Sequence, residues 1–154
     1  MIFQADAQHL PLPDGCVDLI VSAPPAPGNG VWEEDYWSEL AKAQTGCLRV
    51  LRPRGVGWFL LRKSPREDRW RYFDHVETRW GHLGHNRLPL MPRPGKYWGV
   101  TDEREVESLI LNYSKPGDVV LDPFCGRGGI PRVARSCGRK FIASDIDAEQ
   151  LRWR

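Results

Sequence analysis

Residues 118–129, with the sequence DVVLDPFCGRGG, constrain the fold of this chain more than any other segment. An apolar run leads into Asp122-Pro123, a cluster of three glycines follows, and an amphipathic segment begins directly after the glycines. This order predicts a strand, a glycine-rich turn and a helix. α/β folds use that arrangement to present backbone amides to a bound cofactor. We therefore expect a cofactor site at this turn.

Residues 140–145, with the sequence KFIASD, predict a second strand that ends in Asp145. A carboxylate at the end of the second strand is where such folds bind the hydroxyls of an adenosine ribose. The glycines do not follow the GxGxxG spacing, so a dinucleotide is the weaker interpretation. S-adenosylmethionine has a single ribose and no phosphate, and it fits these residues better.

Together, DVVLDPFCGRGG and GRKFIASDID resemble the cofactor-binding half of the DNA amino-methyltransferases, which modify adenine N6 or cytosine N4. The catalytic half of that family has a strand ending in a Pro-Pro loop, and residues 17–28, VDLIVSAPPAPG, resemble it. The catalytic half comes first here, which resembles the permuted class called beta. The resemblance covers roughly residues 2–151. It implies an α/β, Rossmann-like S-adenosylmethionine-dependent methyltransferase fold: a mostly parallel sheet with helices on both faces, in circularly permuted order.

We expect a single domain over residues 1–154, a length that can bury a core of its own. Its catalytic half would span 1–63, a minimal DNA-facing insert 64–100, and the cofactor-binding half 101–154. The insert is too short for the separate target-recognition region that family members usually carry. The resemblance therefore implies weak or very short sequence specificity, or specificity supplied by a second subunit, for example in a homodimer.

The resemblance also implies a set of cofactor-contacting residues. Asp145 would bind the ribose hydroxyls, and Asp6 would contact the adenine amino group unless it only caps a turn. Asp122 would lie near the amino-acid moiety of the cofactor, with a cap at the strand end as the alternative role. The full expected set comprises Asp6, Asp122, Pro123, Phe124, Cys125, Gly126, Gly128 and Asp145.

The catalytic loop is expected at Ala23, Pro24, Pro25 and Ala26, where the chain departs from the family pattern. The family has Asp, Asn or Ser before the Pro-Pro pair and an aromatic residue after it. The polar side chain accepts a hydrogen bond from the target amino group, and the aromatic ring stacks on the flipped-out base. Stacking is worth ~1–3 kcal/mol per base, and a hydrogen bond formed mainly in the transition state acts directly on rate. We expect the fold to survive both alanines and the chemistry to be disabled.

Three hypotheses account for the two alanines: a deliberately inactivated variant of a working enzyme, a natural pseudo-enzyme, or a working site that uses a neighbour such as Ser22. Two alanines flank an intact Pro-Pro pair, whereas drift would scatter substitutions over the loop. That pattern favours the first hypothesis. The following Pro27-Gly28-Asn29 resembles relatives that methylate cytosine N4, which favours that base slightly over adenine N6.

The basic residues are concentrated in one part of the chain, although the net charge is only +2. Residues 49–96 carry 12 basic and 4 acidic residues, a local charge of +8. Interleaved aromatic residues favour a groove that follows nucleic-acid phosphates over an ordinary solvated face. These are Trp58, Trp70, Tyr72, Phe73, Trp80, Tyr97 and Trp98. Arginine predominates, which suits bidentate phosphate contacts. The expected DNA-contacting residues are Arg62, Lys63, Arg66, Arg69, Arg71, Arg87, Arg93 and Lys96.

Other classes of site have little support in the sequence. The four cysteines form no CxxC pair, so neither zinc nor a redox motif is indicated, and we expect reduced thiols in a cytoplasmic protein. His82 and His85 lack nearby thiol or acidic partners and favour a loop over a metal site. We expect neither a signal peptide nor a membrane helix, since the first residues are mixed in character and no apolar run approaches the ~20 residues that a membrane helix needs.

Rival functions remain open at this point. DPFCG with paired glycines also resembles RNA methyltransferases that act on guanine N2, although those usually carry the cofactor half first and an added RNA-binding domain. A non-catalytic module that binds nucleic acid is the second rival. A small-molecule methyltransferase is the weakest interpretation, because it would not need the +8 stretch.

Hydrophobic spacing and turn residues predict the remaining elements. The expected strands cover 1–4, 17–22 and 56–61, and the expected helices cover 33–51, 130–137 and a segment capped by Thr101. A hairpin of 72–82 and 85–91 around Gly84, and a short helix over 148–152, complete the prediction.

Overall fold

The computed structural model describes residues 1–27, 32, 34–64, 67–81 and 102–153, without the side chains of 62–64, 67–69, 80 and 81. A seven-stranded sheet runs through its centre. The strands are β1 (Ile2–Gln4), β2 (Val17–Ser22), β3 (Leu51–Ser64), β4 (Glu67–Phe73), β5 (Thr78–Gly81), β6 (Val119–Asp122) and β7 (Lys140–Asp145). The helices are α1 (Tyr36–Val50), α2 (Glu103–Tyr113), α3 (Gly129–Ser136) and a terminal 3₁₀ helix (Ala148–Trp153).

The strand order is β1-β7-β6-β2-β3-β4-β5. Strands β1, β7, β6, β2 and β3 are parallel, whereas β4 and β5 continue the sheet as an antiparallel meander. The two halves of the chain meet in the middle, where Ile20 of β2 pairs with Leu121 of β6. The predicted mostly parallel sheet in permuted order is confirmed.

Helices cover both faces of the sheet, as the near-continuous apolar strands require. Helix α1 packs on the face that carries Ile20 and Phe59. Helices α2 and α3 pack on the opposite face, against Leu19 and Trp58. Successive strand residues point to opposite faces, which is why Leu19 and Ile20 belong to different cores.

A polar residue inside the apolar strand β2 joins three strands at their starting edge. One Asp18 carboxylate oxygen accepts a hydrogen bond from the Val119 amide at 2.6 Å, and the other forms an ion pair with Arg52. Arg52 also lies 3.9 Å from the carboxylate of Asp118. Asp18 therefore fixes the start of β6 against β2 and β3, and its interruption of the apolar run has a structural reason.

The predicted hairpin around Gly84 is wrong in its first strand. Instead of one strand over 72–82, β4 ends at Phe73 and β5 begins at Thr78. Asp74 closes the turn, because one of its carboxylate oxygens accepts hydrogen bonds from the amides of Val76 and Glu77 at 2.8 and 2.7 Å. Gly84 and the predicted strand 85–91 lie outside the described residues.

Several predicted boundaries move by a few residues. Helix α1 begins at Tyr36 behind the N-cap Asp35, and α2 follows the N-cap Asp102, rather than Thr101. Strand β3 begins directly after α1 and contains an irregularity before Val56, where Arg54 has a φ of 68°. Residues 52–55, which fall between the predicted helix 33–51 and the predicted strand 56–61, therefore form a bulge within the strand.

Among the described residues, no helix is both long enough and apolar enough to cross a membrane.

The close packing of Gly57 gives a test of the β3–β4 pairing. Gly57 pairs with Phe73, and a Cβ added to Gly57 would lie 2.1 Å from the ring of this fully buried phenylalanine. Overpacking of this kind costs ~1–3 kcal/mol. We expect Gly57→Ala to lower the free energy of unfolding in urea by that amount. Gly129→Ala is the control, because a Cβ there meets no atom within 4 Å. Equal unfolding midpoints for the two variants would contradict this packing.

Candidate active site

The predicted catalytic and cofactor segments meet at the carboxyl edge of the parallel sheet. The Pro-Pro loop follows β2, the glycine-rich turn follows β6, and Asp145 ends β7. The helix after β6 lies on one face and the helix after β2 on the other. From β6 the chain continues to β7 on one side, and from β2 it continues to β3 on the other side, so the strand order reverses between β6 and β2. Open α/β sheets bind ligands at such a switch point.

A buried hydrogen bond joins the two segments. The Ser22 hydroxyl donates to Asp122 Oδ1 at 2.5 Å, and both residues are almost fully buried, at 0% and 2% exposure. The same Oδ1 accepts a hydrogen bond from the Phe124 amide at 3.3 Å. Asp122 thus has the role of a strand-end cap, one of its two predicted alternatives. The pairing with Ser22 was not predicted, although each residue ends an apolar strand at the switch point.

Burial raises the pKa of Asp122 to about 7. The hydrogen bonds from Ser22 and Phe124 act in the opposite direction, and the negative charge of Asp145 adds a further increase. Ser22 is committed to this carboxyl group and has no exposed surface. The geometry therefore gives no support to the hypothesis that Ser22 serves as the polar group of a working catalytic loop.

The glycine-rich turn is held by three hydrogen bonds. The Cys125 amide donates to the Ser144 carbonyl at 2.9 Å, and the Gly126 amide donates to Asp145 Oδ2 at 2.9 Å. The indole of Trp153 donates to the Gly126 carbonyl at 2.7 Å. These contacts fix the turn against β7 and the terminal helix, so its backbone is organised before any ligand binds.

Gly128 is required at its position for two reasons. Its φ is 77°, in the left-handed region that side chains other than glycine rarely adopt, and an added Cβ would lie 2.5 Å from the Trp153 ring. Gly126 also has a positive φ, of 47°, but an added Cβ would meet no atom within 4 Å. The space beside Gly126 is therefore open, as a turn that is approached closely by a cofactor requires.

Asp145 keeps the capacity to bind a ligand. Its Oδ2 accepts from the Gly126 amide and its Oδ1 from the Asp147 amide at 3.0 Å. Each carboxylate oxygen has a second lone pair, and the side chain is half-buried, so it can accept further hydrogen bonds. Asp6 lies two residues after the end of the neighbouring strand β1, where its Oδ1 accepts from the Gln8 amide at 2.9 Å and caps a turn.

The catalytic loop presents only apolar side chains. Pro24 is buried, whereas Ala23, Pro25 and Ala26 are half-buried. Ala23 packs against the core formed by α2 and α3. With methyl groups at both outer positions, the side chains of this loop offer neither a hydrogen-bond acceptor nor an aromatic ring.

An aromatic group next to the glycine-rich turn packs on the α1 face. Phe124, from the glycine-rich turn, contacts the ring of Trp32 at a centroid distance of 5.6 Å and the ring of Phe59 at 6.1 Å. Trp32 in turn lies 6.0 Å from Tyr36, at the start of α1. Pro123 and Cys125, which flank Phe124, are buried.

The predicted DNA-contacting residues can be compared with the structure only in part. Arg71 is half-buried, and burial lowers its pKa. Arg62, Lys63 and Arg69 lie on β3 and β4, but their side chains are outside the described part of the chain. Arg66, Arg87, Arg93 and Lys96 lie outside it altogether.

The aromatic part of the nucleic-acid prediction is wrong for four residues. Trp58, Trp70, Tyr72 and Phe73 have exposures of 7%, 1%, 8% and 0%, so they fill the core and cannot stack on bases. Some charges of the +8 stretch also have partners within the fold, such as the ion pair of Arg49 with Asp14. The sequence pattern could not separate these residues from a solvent-facing groove.

Thiol and metal chemistry have little support in the described chain. All four cysteines are free, and Cys47 and Cys125 are buried, which raises the pKa of both thiols. No group of three or more His, Cys, Asp or Glu side chains in the described ranges is arranged to hold a metal ion. His82 and His85 lie outside those ranges.

The pKa of Asp122 predicts a specific pH dependence of stability. An unfolded aspartate titrates at about 3.9, whereas Asp122 titrates at about 7 in the folded chain. Between these values only the folded state holds the proton, so the contribution of Asp122 to the free energy of unfolding falls as pH rises from about 4 to about 7 and then levels off.

We expect Asp122→Asn to remove this dependence. Its amide oxygen can keep both hydrogen bonds that Oδ1 accepts, and it does not titrate. Relative to the parent chain, the variant should gain stability by about 1.4 kcal/mol per pH unit over this window. Urea unfolding at a series of pH values measures the difference. A difference that stays constant from pH 4 to 8 would contradict the assignment.

A curated methyltransferase matches part of this chain in sequence. The matching segment of the type II methyltransferase M2.DpnII from Streptococcus pneumoniae is 41% identical over 58 residues, which is 38% of this chain. That segment is only 22% of the relative's own length, so the chain matches about a fifth of it.

Solved structures match over nearly the whole chain. The M1.HpyAVI–S-adenosylmethionine complex has a TM-score of 0.65 at 16% identity, covering 99% of this chain and 95% of that one. The cytosine-N4-specific PvuII DNA methyltransferase has a TM-score of 0.67 at 12% identity, covering 97% and 83%. These likenesses confirm the predicted Rossmann-like methyltransferase fold. The family model described as DNA methylase, of the N6/N4 type, matches residues 29–153, and the chain therefore belongs to this family of DNA methylases.

Proposed function

We propose that this chain is an S-adenosylmethionine-dependent methyltransferase for an exocyclic amino group of a DNA base, with a catalytic loop disabled by Ala23 and Ala26. One observation carries the proposal. The Pro-Pro loop and the glycine-rich turn are joined by the Ser22–Asp122 hydrogen bond at the switch point of the sheet. A cofactor on the turn and a base on the loop would therefore be neighbours.

The residues around the turn fit S-adenosylmethionine, which supplies a methyl group on a positively charged sulfur. Asp145 would accept hydrogen bonds from the ribose hydroxyls, using the lone pairs that its two amide contacts leave free. The open space at Gly126 allows close approach to the backbone. Asp6, at the neighbouring strand end, would reach the adenine amino group. The M1.HpyAVI structure with this cofactor supports the assignment.

The catalytic loop would keep a rigid backbone for the flipped base but lack the side chain that orients the target amine. Pro24 and Pro25 restrict the backbone, so the loop carbonyls would face a flipped base in a fixed geometry. The methyl group of Ala23 cannot accept a hydrogen bond from the target amine, so the nitrogen lone pair is not oriented toward the cofactor. Methyl transfer depends mostly on positioning, so the rate would fall while the cofactor site remains intact.

The remaining parts of the function stay predictions from the sequence. Cytosine N4 is favoured slightly over adenine N6, and the basic stretch would hold the DNA. The single-domain division with its insert at 64–100, a homodimer and a cytoplasmic setting stay predictions as well. Because the matched part of M2.DpnII is only 22% of that protein, the substrate of this chain rests on its own residues.

Replacement of the two alanines tests the proposal directly. We expect Ala23→Ser/Ala26→Tyr to transfer labelled methyl from S-adenosylmethionine to mixed-sequence duplex DNA at least about a hundredfold faster than the parent chain. Loss of one transition-state hydrogen bond alone has an effect of about that size. Analysis of the methylated product would identify the base.

Two controls accompany this measurement. Asp145→Ala in the replaced chain should abolish transfer, because it removes the expected contact to the cofactor. Folded RNA in place of duplex DNA should be the poorer substrate. Equal activity of the parent and the replaced chain would contradict a disabled loop, and transfer to RNA alone would contradict DNA as the substrate.

A further inference from the structure

We infer that Trp32 provides the stacking surface for the target base that the loop lacks at Ala26. This inference rests on the proposed function, because it assigns a residue to the same base-binding site. It separates the two roles of the catalytic loop. Stacking would be supplied from elsewhere in the chain, and only the hydrogen-bond acceptor at position 23 would be missing.

Trp32 is connected to the catalytic loop by a short series of contacts. The centroid of its ring lies 5.6 Å from that of Phe124, in a T-shaped arrangement with the ring planes at 84°. The Phe124 amide binds Asp122, and Asp122 binds Ser22, the residue directly before the loop. Trp32 packs on the α1-face core beside the glycine-rich turn, and its indole is half-buried, so part of the ring remains accessible.

The backbone conformation of Trp32 indicates that the surrounding structure fixes the position of its ring. Its φ of 58° is in the left-handed region, which is uncommon for a bulky side chain. Such conformations persist where the surrounding structure enforces them, and they cluster at functional sites. Here the contacts with Phe124 and Tyr36 fix the indole.

A buried polar group beside Trp32 adds an independent observation. The Tyr36 side chain is only 7% exposed, and its hydroxyl has no hydrogen-bond partner among the described residues. Leaving a buried hydroxyl unpaired is unfavourable, so such groups usually have a partner that completes them. A base stacked on Trp32 carries carbonyl and ring-nitrogen acceptors, and a phenol hydroxyl can donate to either of them.

The charge nearby has the sign that a nucleotide requires. Arg71 on β4 pairs with Phe59 on β3, and Phe59 pairs with Ser22 on β2. Arg71 therefore lies level with Ser22, the residue directly before the catalytic loop. Directly paired residues point to the same face of a sheet, and Phe59 packs on the α1 face, so the Arg71 side chain lies on the same face as Trp32. Stacking, a buried donor and a cation are thus combined beside one loop.

The experiment compares four variants in the methyl-transfer assay with mixed-sequence DNA: Ala23→Ser alone, Ala23→Ser/Ala26→Tyr, Ala23→Ser/Trp32→Phe and Ala23→Ser/Trp32→Leu. We expect Ala23→Ser alone to be active, since Trp32 already supplies the stacking. Phe at position 32 keeps an aromatic face and should retain activity. Leu keeps apolar packing without that face and should raise the KM for DNA by about tenfold to a hundredfold.

Thermal unfolding and calorimetric binding of S-adenosylmethionine show whether the position 32 variants remain folded. If the Leu variant does not fold, the comparison of Ala23→Ser with Ala23→Ser/Ala26→Tyr decides the question. An inactive Ala23→Ser beside an active double replacement overturns the role of Trp32 and leaves the proposed function standing. Equal KM values for the Phe and Leu variants also overturn it. An inactive double replacement removes the proposed function, and the role of Trp32 with it.

Discussion

The hydrogen bond between Ser22 and Asp122 is the contact on which the rest of the site depends. It links two residues that are 100 positions apart in the chain, at the centre of the sheet where the two halves meet. A buried carboxyl group is costly unless it is hydrogen-bonded or neutralised. Here a hydroxyl donor and a pKa raised to about 7 meet both conditions. The beginning of the Pro-Pro loop and of the glycine-rich turn are thereby fixed relative to each other.

The glycine-rich turn keeps the residues that its role requires, whereas the catalytic loop lacks two of them. The glycine-rich turn has support from Ser144, Asp145 and Trp153, so its geometry is set by hydrogen bonds to β7 and the terminal helix. The catalytic loop keeps its rigid prolines but has alanine at 23 and 26. Loss of small polar or aromatic groups at these half-buried positions costs the fold little. We therefore expect the chain to bind the cofactor while transfer of its methyl group is impaired.

The parts of the site that could be predicted from the sequence are those fixed by local chemistry. Gly128 and Asp145 were predicted because a turn between strand and helix needs glycine and the second strand ends in an acid. The Ser22–Asp122 and Asp18–Val119 contacts could not be predicted, since they join residues on strands from opposite halves of the chain. Trp58 and Trp70 were misassigned because a run of alternating basic and aromatic residues does not reveal which side chains face inward.

Calorimetric titration of S-adenosylmethionine onto the unaltered chain tests the central claim, an intact cofactor half beside an altered catalytic loop. The account predicts saturable heat with one cofactor bound per chain, although the same chain should transfer the methyl group at least about a hundredfold more slowly than Ala23→Ser/Ala26→Tyr. Asp145→Asn is the matched variant, because it keeps the shape of the side chain and removes its charge, and its affinity should be lower. A folded parent chain that gives no binding heat and shows no rise in melting temperature with the cofactor would contradict the account.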